Sequence, residues 1–131
     1  MSAMVFVALG TGLAGAILAI IELLLAYPRL PASVPLHFDI KGRPGRWGSR
    51  GLFIAVFGTL IVSLAAAMLD AAVMNAEATG VLAVALCFVA FVEHLIIAAA
   101  RRPRNCLALR PFWLGFAIFL LALMTWSALN R

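Results

Sequence analysis

Five side chains could begin chemistry in this sequence: Glu22, His37, Asp39, Glu93 and His94. Glu22, Glu93 and His94 fall inside long apolar runs, where a charge facing lipid is costly and so turns inward and finds a partner. Counted from the ends of those runs, Glu22 lies about one helical turn, and Glu93 with His94 roughly two turns, from one shared surface, all within ~12 Å of it. Three readings follow. Glu22, His37, Glu93 and His94 together would offer zinc or another divalent ion two carboxylates and two imidazoles. Against that, neighbouring residues project about 100° apart on a helix, so only one of Glu93 and His94 is expected to point inward. No HExxH pairing is present either. In the second reading a carboxyl carries a proton. In the third, which leads, the group is polar glue that sets helix register, with help from Arg101 or Arg50. No catalytic residue is legible, no cofactor is expected, and a non-enzymatic role is favoured.

The elements that would hold these residues follow from composition. Of 131 residues, 66% are apolar and 11% charged, against roughly 45–50% and 25% in an ordinary soluble domain. The chain lacks the polar surface to cover a water-soluble fold. Nine of its ten basic residues sit in two short connections, which is a topology signal and argues against nucleic acid as a partner. Cys87 and Cys106 show neither a disulfide framework nor CxxC spacing.

Four apolar runs, Ala3–Ala26, Gly51–Val73, Thr79–Ala100 and Pro111–Leu129, approach or exceed the ~20 residues that cross the hydrocarbon as a helix. The first lacks the basic start and cleavage site of a secretory signal and reads as a retained span. The expected fold is an all-α membrane protein, one four-helix domain over residues 1–131, with a patterned loop between helices 1 and 2. Arg29, Lys41, Arg43, Arg46 and Arg50 occupy one connection, and Arg101, Arg102, Arg104 and Arg110 the other. The positive-inside rule puts both, 27–50 and 101–110, on the cytoplasmic side of a plasma (inner) membrane and both termini outside, with Asp70, Glu77 and Arg131. Arg101, Arg102 and Arg104 are expected to reach anionic headgroups. Trp47, Trp113 and Trp126 are expected at the membrane interface. Gly12, Gly15, Ala16 and Ala19 form a small-residue face suited to packing inside the bundle.

The loop 27–50 is the one long stretch outside the spans, cytoplasmic or interfacial. Pro28, Pro31 and Pro35 end the first helix and favour extended backbone. From Val34 to Lys41 the residues alternate, with Val34, Leu36, Phe38 and Ile40 on one face and His37, Asp39 and Lys41 on the other, the period of a short strand. Gly42 and Pro44-Gly45 then reverse the chain, and Trp47 is expected to anchor the strand's far end. His37 and Asp39 face water or a partner: the leading reading is a re-entrant or surface cap that satisfies its own polar groups, and the alternative is a surface on which His37 and Asp39 serve as ligands or as recognition groups for another protein.

The pattern Leu30-Pro31, Val34-Pro35-Leu36-His37-Phe38, Gly42-Arg43-Pro44 and Trp47-Gly48-Ser49 resembles a small bacterial membrane domain of unknown function. That domain also forms the N-terminal part of SdpI-like immunity proteins. Gly45 stands where the family often has an acidic residue, and Arg50 where it usually has lysine. The resemblance implies a bacterial inner-membrane protein in envelope stress, toxin resistance or signalling, since SdpI-like proteins protect against a secreted toxin and relay its presence to a repressor. A small proton-coupled transporter working as a homodimer and a metal-dependent intramembrane enzyme stand as alternatives.

Overall fold

The computed structural model describes residues 2–129 and shows an all-α membrane protein: four helices, each long and apolar enough to cross a bilayer, with a two-stranded hairpin between the first two. Helix α1 spans Ala3–Ala26, α2 Arg50–Met74, α3 Ala76–Ala100 and α4 Leu109–Leu129. At 1.5 Å per residue they reach about 31–38 Å. Arg131, expected among the outer charges, lies outside the described residues.

Each boundary has a local cause. Ser2 caps α1 by accepting the Val5 N–H at 3.4 Å, and Pro28 sits in the 3₁₀ turn Tyr27–Arg29 that closes it. Ser49 accepts the Leu52 N–H at 3.0 Å at the start of α2. Asn75 is extended (φ −151°), which breaks α2 from α3, and its side chain accepts the Ala78 N–H at 3.0 Å. Because Asn75 can cap, α3 begins at Ala76 rather than at Thr79, and Glu77 falls in its first turn. Helix α4 likewise begins at Leu109, two residues before Pro111, which occupies the first turn where its missing N–H costs nothing.

Helix α3 is the centre of the bundle. It packs against α1, α2 and α4, while α4 leans on α3 and buries none of its residues. Close approach is bought with glycine: a methyl on Gly12 would meet Met68 and Ala83, on Gly15 Cys87, on Gly80 the Trp126 indole, and on Gly115 the Phe91 ring. Ala16 and Ala19 are buried on the same face as Gly12, so the small-residue stripe of α1 is used inside the bundle. The large exposed side chains, among them Phe6, Leu18, Leu24, Val62, Leu114 and Leu121, are the lipid-facing surface of a membrane protein.

Strands β1 (Ser33–Phe38) and β2 (Pro44–Ser49) pair antiparallel, with Val34 opposite Gly48 and Pro35 opposite Trp47. The register slips between Pro35 and His37, leaving Leu36 as an extra residue, and again at Phe38. Such bulges bend the strand and change the expected alternation. Val34 and Pro35 are both fully buried, and Ile40, expected on the apolar face, sits in the turn at 85% exposure. Trp47 is also displaced from expectation: it lies mid-strand in β2 opposite Pro35, not at the hairpin tip. The tip belongs to Asp39, whose Oδ1 accepts the Lys41 and Arg43 N–H groups, both at 2.9 Å. Gly42 follows with φ +75°, a conformation that costs glycine little.

Candidate polar site between helices 1 and 3

Helix α1 carries Glu22 one turn from its end, and α3 carries Glu93 and His94 about 10 Å from its own. The two ends meet on the hairpin side. There Glu22 Oε1 lies 2.6 Å from His94 Nδ1, tying α1 to α3 across 72 positions of sequence. The pair is not sealed: the Glu22 side chain is 32% exposed and that of His94 61%.

Glu93 goes the other way, as 100° of helical rotation requires. It is fully buried, and neither carboxyl oxygen has a hydrogen-bond partner among the described residues. Its helix therefore presents one polar face to the bundle interior and one to a surface groove. That groove, about 390 Å³, is lined by Leu18, Ile21, Glu22, Arg29, His94 and Arg101, among others. The side chains of Arg29 and Arg101 make no hydrogen bond, ion pair or ring contact among the described residues.

His37 and Asp39 do not join this cluster. His37 is exposed on β1, opposite Arg46, with its ring against Gly45. Asp39 spends its carboxylate on the turn, its Oδ2 accepting from Arg43 Nε at 2.9 Å. The Arg43 backbone N–H, the Arg43 side chain and the Lys41 N–H hold the pKa of that carboxyl below its ordinary value. Among the described residues, no three His, Cys, Asp or Glu side chains converge as a metal set. The four-residue ligand set fails because the hairpin turns His37 to the surface while Glu22 and His94 pair beneath it. Arg50 is not near the glutamates either: it stands over the Tyr27 ring, 5.0 Å from its centroid, a cation–π contact.

Three features had no sequence signal. The two basic connections are fastened together, with the Leu107 N–H donating to the Gly42 carbonyl at 2.8 Å. Trp126, expected at the interface, also has a structural partner: Nε1 donates to the Glu77 carbonyl at 2.9 Å, joining α4 to the start of α3. Trp113, by contrast, is exposed near the start of α4. Finally, an apolar groove of about 470 Å³ opens between α1, α3 and α4. Its few polar groups are engaged, since Thr11 Oγ1 donates to the Val7 carbonyl and Cys87 Sγ to that of Thr11. The meeting of Gly42 with Leu107 and a Trp–Gly pair across 46 residues are visible in a sequence only once the fold is known.

Comparison with curated proteins and with solved structures gave no match. Residues 14–66 match the family model described as a domain of unknown function (DUF1648), a stretch that holds Glu22 and the whole hairpin and leaves Glu93 and His94 outside it.

Proposed function

We propose that this chain is a non-enzymatic protein of the bacterial inner membrane, acting in envelope stress, toxin resistance or signalling through a cytoplasmic cap made of its two basic connections. The observation that carries this reading is the Gly42–Leu107 hydrogen bond. It turns two separate loops into one surface, seated on the helix ends through Val34, which is fully buried. A displacement of α3 relative to α2 would therefore be felt at the cap. Nine basic side chains in these connections favour the cytoplasmic side by the positive-inside rule, with the termini outside. The role in envelope stress, toxin resistance or signalling rests on the resemblance of the hairpin motif to SdpI-like proteins, and the motif lies inside the domain match over residues 14–66.

The test is a toxin challenge. A strain lacking the protein should gain sensitivity to envelope-active peptides, and complementation with Gly42→Val, which blocks the approach to Leu107, should fail to restore resistance. Unchanged sensitivity of the deletion strain would count heavily against the reading.

Glu93 favours a second reading, a proton-coupled transporter working as a dimer. An ionised carboxylate buried without a partner costs several kcal/mol, so release of a proton from Glu93 would require its surroundings to change. A carrier needs that coupling. Reconstituted protein should then move substrate under an imposed pH gradient, and Glu22→Gln and Glu93→Gln should not. Transport by both variants at the wild-type rate removes this reading.

A further inference from the structure

We infer that the groove between α1 and α3 is a binding site for one anionic glycerophospholipid of the hairpin-side leaflet. The order of side chains along the groove matches the order of groups along such a lipid. Deepest are Leu18 and Ile21, 67% and 46% exposed, a wall for an acyl chain. Next come Glu22 and His94, about 6 and 9 Å from their helix ends, at the depth of glycerol and ester groups. The His94 Nε2 is uncommitted there, since Nδ1 faces Glu22. Outermost are Arg29 and Arg101, one just past the end of each helix, both exposed and with side chains that have no partner among the described residues. Guanidinium groups bind phosphate oxygens in bidentate, charge-assisted pairs, and basic pockets between transmembrane helices are where lipid headgroups settle.

Two alternatives fit less well. A free phosphate ion would leave the leucine and isoleucine wall uncovered. A second copy docking this face through a two-fold axis would set Arg29 and Arg101 against the same residues of its partner, juxtaposing like charges. A lipid satisfies both ends, and it also covers a half-exposed carboxylate–imidazole pair that acyl chains alone would leave unsolvated. The inference differs from general attraction of basic loops to headgroups, because it names two arginines and excludes Arg104, which lines a different hollow with Arg102 and Cys106. It does not depend on the toxin-resistance reading.

Native mass spectrometry of the full chain in mild detergent, titrated with palmitoyl-oleoyl phosphatidylglycerol, tests it. One tightly held lipid per chain is expected. Arg29→Gln with Arg101→Gln should weaken it by about tenfold or more, as loss of two charge-assisted contacts implies. Arg104→Gln should change it less than about twofold, as for an exposed, diffuse charge. All three side chains are exposed, so the fold is retained. Equal weakening by Arg104→Gln would overturn the site, as would thermal protection by inorganic phosphate equal to that by lipid. A lipid-free dimer dissociated by the double substitution would overturn it in favour of a second copy.

Discussion

Glu22 and His94 meet at 2.6 Å, and theirs is the one carboxylate–imidazole contact between helices among the described residues. It joins the helix that leads into the hairpin to the helix at the centre of the bundle. A polar contact of this kind does more to set rotation and register than to add stability, because in the membrane interhelical hydrogen bonds average well under ~1 kcal/mol and reach about 1.7. A double-mutant cycle with Glu22→Gln and His94→Gln, read by thermal unfolding in detergent, should therefore return a coupling of roughly 0.5–1.5 kcal/mol. Strict additivity of the two substitutions would mean that the pair is not formed.

Glu93 should behave in the opposite sense. Its oxygens have no partner among the described residues, so Glu93→Leu, close in volume and apolar, is expected to leave stability unchanged or raise it by about 1–3 kcal/mol, the usual penalty of an unsatisfied buried polar group. The same substitution should abolish any function that uses the carboxyl. A protein made less stable by Glu93→Leu would point to a partner for the carboxyl that this geometry lacks.

Helix α4 depends on one close approach. Adding a methyl at Gly80 drives it into the Trp126 indole, and overpacking of this kind costs roughly 1–3 kcal/mol. Since α4 leans on α3 and buries no residue of its own, Gly80→Ala should loosen α4 selectively, seen as a change in Trp126 emission. Gly58→Ala, with nothing within 4 Å of the added methyl, should leave the spectrum untouched and gain a few tenths to about 1 kcal/mol of helix propensity.

The hairpin tip should respond to acid. The folded protein holds the Asp39 carboxyl below its ordinary value of 3.8, so the ionised form contributes stability that is fully present above that value. As pH falls through it and on through the lower folded value, that contribution is lost. Hydrogen exchange at the Lys41 and Arg43 amides should accelerate over that window after correction for intrinsic rates. In Asp39→Ala both amides should exchange fast at every pH, with no inflection. Protection that persists in Asp39→Ala would show that the turn is held by Gly42 and the backbone alone.

How much of this is legible beforehand divides along one line. The spans read directly, because about twenty apolar residues in lipid can satisfy their backbone only as helix. The hairpin reads too, from prolines that stop α1, alternation through Val34 and Leu36, and a glycine where the chain must turn. The divergence of Glu93 from His94 follows from helix geometry without any structure. Strand alternation was followed only partway: a bulge at Leu36 is a property of the pairing with β2, and Ile40 leaves the apolar face because β1 ends at Phe38 and the chain turns there.

Composition, charge placement and periodicity thus determine by themselves that four helices cross a membrane, about where along the chain each one runs, and that a strand-forming hairpin joins the first two. Only the tertiary structure decides that Glu22 finds His94 and not His37, that Gly42 meets Leu107, and that α4 rests on α3. The physical reason lies in the solvent. Helices apolar on every side carry no mark distinguishing the face that meets a neighbour from the face that meets lipid, so their rotation is chosen by the fit of glycines, aromatic rings and a few polar groups.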